Sequence, residues 1–381
     1  MLQTRQVKTA LSAAEHPILL ESAAQLLSAA KQWQNCRTLG IDTEFVRERT
    51  YRADLGLVQI SDGATAWLVD PVALGSLDPL TELMAQKNIT KILHSSSEDL
   101  EVLLHVLGVM PEPMVDTQIA CAMLGQSLQL GYHHAAKWLL GVDIDKDQTR
   151  SNWCRRPLNS KQLRYAAMDV VLLPMMLDEL RQRLENIGRW EWLEEDVARM
   201  KRNSLSPVTP QNAHLRISVN GRLDDSTLKV LQVLAAWREE IADSRNRARG
   251  FVVSDTGLVK MAQLKPSSPD EIRDIEEIHP GLLRRYQDQL LQLIASARSD
   301  NSPVERIEPL GNAQKKQLNR MRQTVKSRAE ELDIDPALLA SRRELERLIR
   351  AVSQQQPLPE RFLGWRQQII TRDLLAQLMV E

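Results

Sequence analysis

The hydrophobic pattern of this chain changes character once, at residues 203–212, and that break constrains its architecture more than any other feature. The segment holds Ser204, Ser206, Pro207, Thr209 and Pro210, residues that punctuate regular structure instead of continuing it. Before it, strand and helix signals mix. Residues 20–31 and 77–85 have helical spacing, and 37–42, 55–60 and 64–69 read as short strands, the last two joined by the turn Ser61-Asp62-Gly63. Residues 89–93 read as a further strand, 98–107 as a helix, and 163–184 as a long helix that Pro174 bends or breaks. Strands that follow strands and then alternate with helices predict an α/β fold, a mixed sheet covered by helices.

After the break every periodic segment is helical: 227–241, 255–263, 269–275, 282–297, 312–332, 336–351 and 362–378. A second polar break, Asn301-Ser302-Pro303, divides them into two small all-helical units. The expected division is therefore 1–209, 210–300 and 301–381, which a length of 381 residues accommodates. Phe251-Val252-Val253-Ser254-Asp255 and the stretch Ile334-Asp335-Pro336-Ala337-Leu338-Leu339-Ala340-Ser341 each precede a helix after a long first one, a hint of two diverged copies.

Charge excludes little by itself. The formal net charge is −1, which argues against long non-specific duplex binding through many phosphate contacts. The two parts differ, however: beyond residue 210 there are 27 Lys+Arg against 24 Asp+Glu, net +3, which leaves −4 for the first part. Cys36, Cys121 and Cys154 are isolated, with no finger-like spacing, so neither a disulfide scaffold nor structural zinc is expected. No apolar run is long enough for a membrane span and no secretion signal opens the chain, so a cytoplasmic protein is expected.

Three acidic segments stand out. Leu39-Gly40-Ile41-Asp42-Thr43-Glu44-Phe45 ends a strand with two acids at i and i+2, which strand periodicity places on one face. Such a pair is costly to bury without a cation, although a solvated strand end fits it equally. In Leu93-His94-Ser95-Ser96-Ser97-Glu98-Asp99, Ser97 reads as a helix N-cap, with Glu98 and Asp99 in the first turn. Glu98 fits a capping charge; Asp99 starts a helix after an apolar strand, where α/β folds bind ligands. In Arg164-Tyr165-Ala166-Ala167-Met168-Asp169, Tyr165 and Asp169 share a helix face; an ordinary core tyrosine with a capping acid is the plainer alternative. Four acids across three separated segments suit two divalent ions bound through oxygen, which favours Mg²⁺ or Mn²⁺. Periodicity alone does not make these segments converge.

These motifs, in this order and spacing, resemble the bacterial ribonuclease D family, in the tyrosine subclass of the DEDD exonucleases. The resemblance is carried by Asp42-Thr43-Glu44-Phe45-Val46-Arg47 with Arg49-Thr50-Tyr51, by His94-Ser95-Ser96-Ser97-Glu98-Asp99-Leu100-Glu101, by Val115-Asp116-Thr117-Gln118 and by Tyr165-Ala166-Ala167-Met168-Asp169. Ser95-Ser96 replaces an Ala-Gly pair known in a relative. The resemblance implies a ribonuclease H-like exonuclease domain followed by two helical nucleic-acid-binding (HRDC-type) domains. It also implies Asp42, Glu44, Asp99 and Asp169 as ligands of two metal ions, with Tyr165 positioning the attacking water. The implied activity is a 3′→5′ exoribonuclease acting on single-stranded 3′ ends, with tRNA precursors as expected partners and a monomer as the expected state. A DNA 3′-end exonuclease would use the same acids, and a non-catalytic RNA-binding protein is the remaining alternative.

Around these motifs, Arg47, Arg49 and Tyr51 are candidate phosphate and base contacts, as are Trp153, Arg155 and Arg156 in the segment Arg150-Ser151-Asn152-Trp153-Cys154-Arg155-Arg156-Pro157. His94 reads as a support of the site and His133-His134 as surface residues. Arg238, Arg245, Arg247 and Arg249, and the stretch from Lys315 to Arg328, are basic faces that suit solubility or RNA; Trp237 and Trp365 read as core. A chain ending near Ser204 is expected to keep cleavage and lose grip on structured RNA.

Overall fold

The computed structural model describes residues 2–144, 151–205, 209–218 and 222–379; Arg150, and Ser206 and Pro207 of the expected linker, lie outside them. The first part is a six-stranded mixed sheet in the order β1-β4-β3-β2-β5-β6. Its strands are β1 (Ile18–Leu20), β2 (Thr38–Val46), β3 (Asp54–Ser61), β4 (Ala66–Val69), β5 (Thr90–Leu93) and β6 (Met114–Asp116). The pairs β2–β3 and β3–β4 are antiparallel, while β1–β4, β2–β5 and β5–β6 are parallel. Strand β2 thus lies between an antiparallel and a parallel neighbour. The expected hairpin is present, its turn held by Asp62, whose carboxylate accepts from the backbone of Ala64 and Thr65 at 2.8 and 2.7 Å.

The helices of this part are α1 (Leu2–Glu15), α2 (Ala23–Trp33), α3 (Asp78–Ala85), α4 (Ser97–Leu107), α5 (Thr117–Met123), α6 (Tyr132–Leu140), α7 (Ser160–Val171), α8 (Leu173–Asn186) and α9 (Trp190–Ser204). The helix expected at 20–31 starts later: Leu20 ends β1, and Ser22 caps α2 in a capping box with Gln25. The helix expected at 163–184 is broken as Pro174 requires, Leu172 lying between α7 and α8. At that break the Tyr132 hydroxyl donates to the Met168 carbonyl at 2.8 Å and receives the Leu172 N–H at 3.3 Å. It occupies the place of a helical i→i−4 bond.

Glycine decides how closely the helices approach. A Cβ on Gly40 of β2 would stand 2.6 Å from the Val170 carbonyl oxygen and 2.9 Å from the Leu173 Cβ. The α7–α8 junction therefore lies directly on the strand that carries Asp42. Gly56 of β3 plays the same part for Trp153, whose carbonyl oxygen would meet its Cβ at 2.7 Å.

Contacts divide the chain into two compact units. One contains Met1–Val46, Asp54–Leu205 and Leu310–Glu381; the other contains Arg47–Ala53 and Ser206–Pro309. The second is helical: a 3₁₀ segment (Pro210–Arg216), α10 (Asp225–Ser244), α11 (Arg249–Val252), α12 (Asp255–Leu264), α13 (Pro269–Arg273) and α14 (Pro280–Ser299) around its own apolar core. The last helices, α15 (Asn312–Leu332), α16 (Pro336–Leu339), α17 (Arg342–Ser353) and α18 (Arg372–Met379), belong to the first unit. A single helix over 336–351 was expected; instead α16 ends at Leu339, Ala340 is extended, and Ser341 caps α17 through the Glu344 N–H. The succession α10, α11, extended Val253, Ser254 cap and α12 has the same form.

The joint between α9 and the C-terminal helices is a buried ion pair. Arg366, 2% exposed, donates to both carboxylate oxygens of Asp196, also 2% exposed, at 2.6 and 2.7 Å. It also donates to the Leu338 carbonyl at 2.7 Å. Trp365 stacks on Trp192 with centroids 4.3 Å apart, and Arg189 bridges the Met123 and Leu332 carbonyls at 2.7 Å each. A chain ending near Ser204 would remove Arg366 and Arg361 from Asp196 and leave Arg199, 3.7 Å away.

Candidate active site

Asp42 and Glu44 project from β2 and Asp169 from α7, and one carboxylate oxygen of each lies within 4.8 Å of the others. Among the described residues this is the group with metal-ligating spacing. Burial raises the Asp42 carboxyl well above its ordinary range, reinforced by the charges of Asp99, Asp169 and Glu44. Glu44 is pushed up to about 8, first by burial and then by Asp169 and Asp99. Repelling half-buried acids fit a cation: all donors are oxygen, and a divalent ion would remove the repulsion among them. The cluster is a metal-binding site by its donor set.

Asp99, in the first turn of α4, accepts a hydrogen bond from the Thr43 hydroxyl between the two strand acids. Burial raises its carboxyl to about 6 while the Thr43 bond opposes the rise. The expected cap at Ser97 is displaced by one residue. Ser96 occupies the N-cap position without a capping bond, because its hydroxyl donates to Asp116 at 2.7 Å. Asp116, 1% exposed, also accepts from the Ser96, Gln118 and Ile119 N–H groups at 2.8, 2.8 and 3.1 Å. It holds the turn that leads to Asp99 and the start of α5. His94 bridges Thr117 and the Leu130 carbonyl at 2.8 Å each. A carbonyl only accepts, so Nε2 carries a proton.

Tyr165 donates to Asp169, and burial followed by the charges of Asp169 and Glu44 raises its phenol far above the ordinary range. A cavity of about 230 Å³ is lined by Asp42, Tyr165 and Asp169, and also by Tyr132, His133 and His134. The surface assignment is corrected for His133, whose Nε2 stands 3.4 Å from Asp169 Oδ1, while His134 is exposed as expected. His133 has no ligand-spaced neighbour in sequence, and the packing of α6 on α8 brings it to the acids. The one available signal was that Tyr132 and His133 open a helix after Gly131.

The residues offered to RNA by sequence separate into two groups. Trp153 is 3% exposed, packed on Gly56 and 6.0 Å from the Tyr165 ring. Arg156 donates to both oxygens of the buried Asp70 at 2.5 and 2.6 Å and to the Gly56 carbonyl at 2.7 Å. Tyr51 donates to Glu239, with the Arg249 guanidinium 4.6 Å from its ring centre. All three are engaged in the fold. Arg47, Arg49 and Arg155 are exposed. Arg238 is buried against Asp255 and the Val253 carbonyl at 2.7 and 3.0 Å, and Trp237 lies in the helical core. No described helix is long and apolar enough to cross a membrane.

Comparison with known proteins agrees with this architecture. Residues 17–185 match the 3′-5′ exonuclease family, 227–294 the HRDC domain, and 313–374 the ribonuclease D C-terminal HRDC domain. Ribonuclease D of Pseudomonas paraeruginosa is 37% identical over 360 residues, covering 93% of this chain and 96% of that protein. Ribonuclease D of a Shewanella species is 36% identical, covering 92% and 91%. The crystal structure of Escherichia coli RNase D, described as an exoribonuclease involved in structured RNA processing, superposes with a TM-score of 0.90 at 30% identity, covering 95% of this chain and 98% of that one. Sequence similarity over nearly the whole length, three matched domains and a converging acidic cluster lead to one conclusion: this chain belongs to the ribonuclease D family.

Proposed function

We propose that this chain is a 3′→5′ exoribonuclease that trims single-stranded 3′ tails of tRNA precursors and other structured small RNAs, one nucleotide at a time, releasing 5′-monophosphates. The observation that carries this reading is the convergence of Asp42, Glu44 and Asp169 within 4.8 Å, in a chain of this family. Asp42, Glu44, Asp99 and Asp169 would hold two divalent ions, Mg²⁺ or Mn²⁺, with Asp42 facing both Asp99 and the Glu44–Asp169 side. When bound, such ions activate a water and stabilise charge on the leaving oxygen.

The chain's own residues supply the rest. Tyr165 stays protonated at physiological pH and commits its proton to Asp169, which leaves its oxygen lone pairs to accept from a water and orient it. Asp116 and His94 fix the turn ahead of Asp99. Arg47, Arg49 and Arg155, all exposed, would contact phosphates of the bound tail. The functional division is catalytic residues 1–209 and helical units 210–300 and 301–381, acting as a cytoplasmic monomer.

The test is turnover of matched RNA and DNA 3′ tails with Mg²⁺, with Mn²⁺ and after exhaustive chelation. Expected are stepwise loss of 3′ nucleotides, a preference for RNA and no product after chelation. Activity that survives chelation, or faster cleavage of DNA, would sink the reading.

A further inference from the structure

The acids of the candidate site are held unequally. Asp99 accepts from the Thr43 hydroxyl, and Asp169 from the Tyr165 hydroxyl. Asp42 accepts from the Thr43 N–H and, among the described residues, from no side chain. One of its oxygens lies within 4.8 Å of the corresponding oxygens of Glu44 and Asp169. A carboxylate turns about a broad, soft terminal torsion, so a further contact is needed to keep that oxygen aimed at an ion.

Gln59 stands where that contact would come from. It is the residue of β3 directly opposite Asp42 of β2. Facing residues of an antiparallel pair share one side of the sheet, with Cβ atoms about 4.5–5.5 Å apart. On its other flank Gln59 faces Leu68 of β4. Helix α7 packs over these strands, and Gln59 is 0% exposed. Neither its Oε1 nor its Nε2 has a hydrogen-bond partner among the described residues. Ser61, next along the same face, is committed elsewhere: its hydroxyl donates to the Thr65 carbonyl at 2.7 Å and accepts the Gly63 N–H at 3.0 Å. A buried amide without partners costs free energy that an apolar side chain of the same shape avoids, so packing does not account for a glutamine at this position.

We propose that Gln59 is a positioning residue of the metal site, its Nε2 holding the second oxygen of Asp42 across one water molecule while the first faces the ion. The amide and the carboxylate project from facing positions and form no direct hydrogen bond, an arrangement that a single bridging water completes. Asp42 then gains what Thr43 supplies to Asp99 and Tyr165 to Asp169. Outer contacts of this kind orient ligands and strengthen ion binding. What the ions do rests on the nuclease reading; that Gln59 shapes their binding does not.

Calorimetric titration of Mn²⁺ into the full, metal-free chain without RNA tests this apart from catalysis. Gln59→Met keeps the length of the side chain and removes both polar atoms. It should weaken Mn²⁺ binding about tenfold. The Mg²⁺ concentration for half-maximal hydrolysis should rise by a similar factor, with KM for RNA at saturating Mg²⁺ unchanged. The Tm in chelator should stay level or rise, since the amide removed is unpartnered. Gln59→Leu is the second variant, used if the first melts abnormally. Mn²⁺ affinity within about twofold of the parent, well short of the loss expected for an outer contact, would overturn the proposal. So would a lowered Tm in both variants, which would make Gln59 a packing residue, or a parent chain that takes up no Mn²⁺. A parent that binds Mn²⁺ but hydrolyses no RNA would refute the nuclease reading instead, leaving the Gln59 result to stand.

Discussion

Two places in this molecule that enclose aspartate, the Asp42 cluster and Asp196, treat the charge in opposite ways. Around Asp42, half-buried carboxylates face one another and, among the described residues, no lysine or arginine pairs with them, so the proton affinity of Asp42 and Glu44 rises. At Asp196, burial pushes the carboxyl up, but the bidentate bonds and charge of Arg366, with Arg361 beyond, pull it below the ordinary range. The second arrangement binds α9 to the C-terminal helices. The first has unfavourable energy in the folded chain, which a bound divalent ion would relieve.

The sharpest way to break this contrast is to neutralise one acid of each kind. Asp42→Asn or Asp169→Asn should lower hydrolysis by about a thousandfold or more, since the acids act as a unit, yet leave the chelated protein at least as heat-stable as the parent. A Tm that falls in chelator would mean the cluster is structural. Asp196→Ala should do the reverse. Its stability cost is about 3–5 kcal/mol, the range for stranding one member of a buried pair, read as a shift in the urea midpoint. A loss under about 1 kcal/mol would show that the Arg366 pair contributes little more than a surface bridge.

Tyr165→Phe sharpens the comparison inside the catalytic group. It keeps the ring and removes the hydroxyl that meets Asp169; turnover should fall about tenfold to a thousandfold while divalent-ion binding, measured by calorimetry, persists. An unchanged rate would make Tyr165 a packing residue.

The smallest effect is in pH dependence, where the two sites have opposite signs. Glu44 holds its proton up to about pH 8 when folded but only to about 4.5 when unfolded. The chelated protein should therefore lose stability as pH rises through that window, and added Mg²⁺ or Mn²⁺ should restore it at the upper end. Asp196 is depressed on folding, so its contribution is present above the unfolded value near 3.8 and disappears as pH falls below it. Melting curves of the parent and of Asp196→Asn from acid to pH 8 would read both; a chelated Tm that climbs from pH 5 to pH 8 contradicts the Glu44 assignment.

What could be read from sequence was local in origin. Strand alternation put Asp42 and Glu44 on one face, the turn at Ser61-Asp62-Gly63 set the hairpin, and Pro174 marked the α7–α8 break. The linker-like composition near residue 204 was legible too, but not its consequence. It suggested that residues 301–381 stand apart from the catalytic part, and the side chains that join them, Asp196 and Arg366, are 170 residues apart. In the same way Arg156 looked like a surface cation until Asp70, buried on another element, was found to hold it. His133 looked like surface until α6 packed beside Asp169.

By itself the sequence determined the class of fold, the helical character of everything past the linker and, through its resemblance to a known family, the five residues expected to carry chemistry. Periodicity and turn chemistry act over a few residues, so they are written wherever those residues are. Tertiary structure alone decided which charges are left without partners. Compensation depends on distances between atoms far apart in the chain, set by such details as the missing Cβ of Gly40 that lets the Asp169 helix reach β2. Whether an arginine binds a ligand or an aspartate of its own fold is settled by that packing, because a charge is answered by whatever lies within a few ångströms of it.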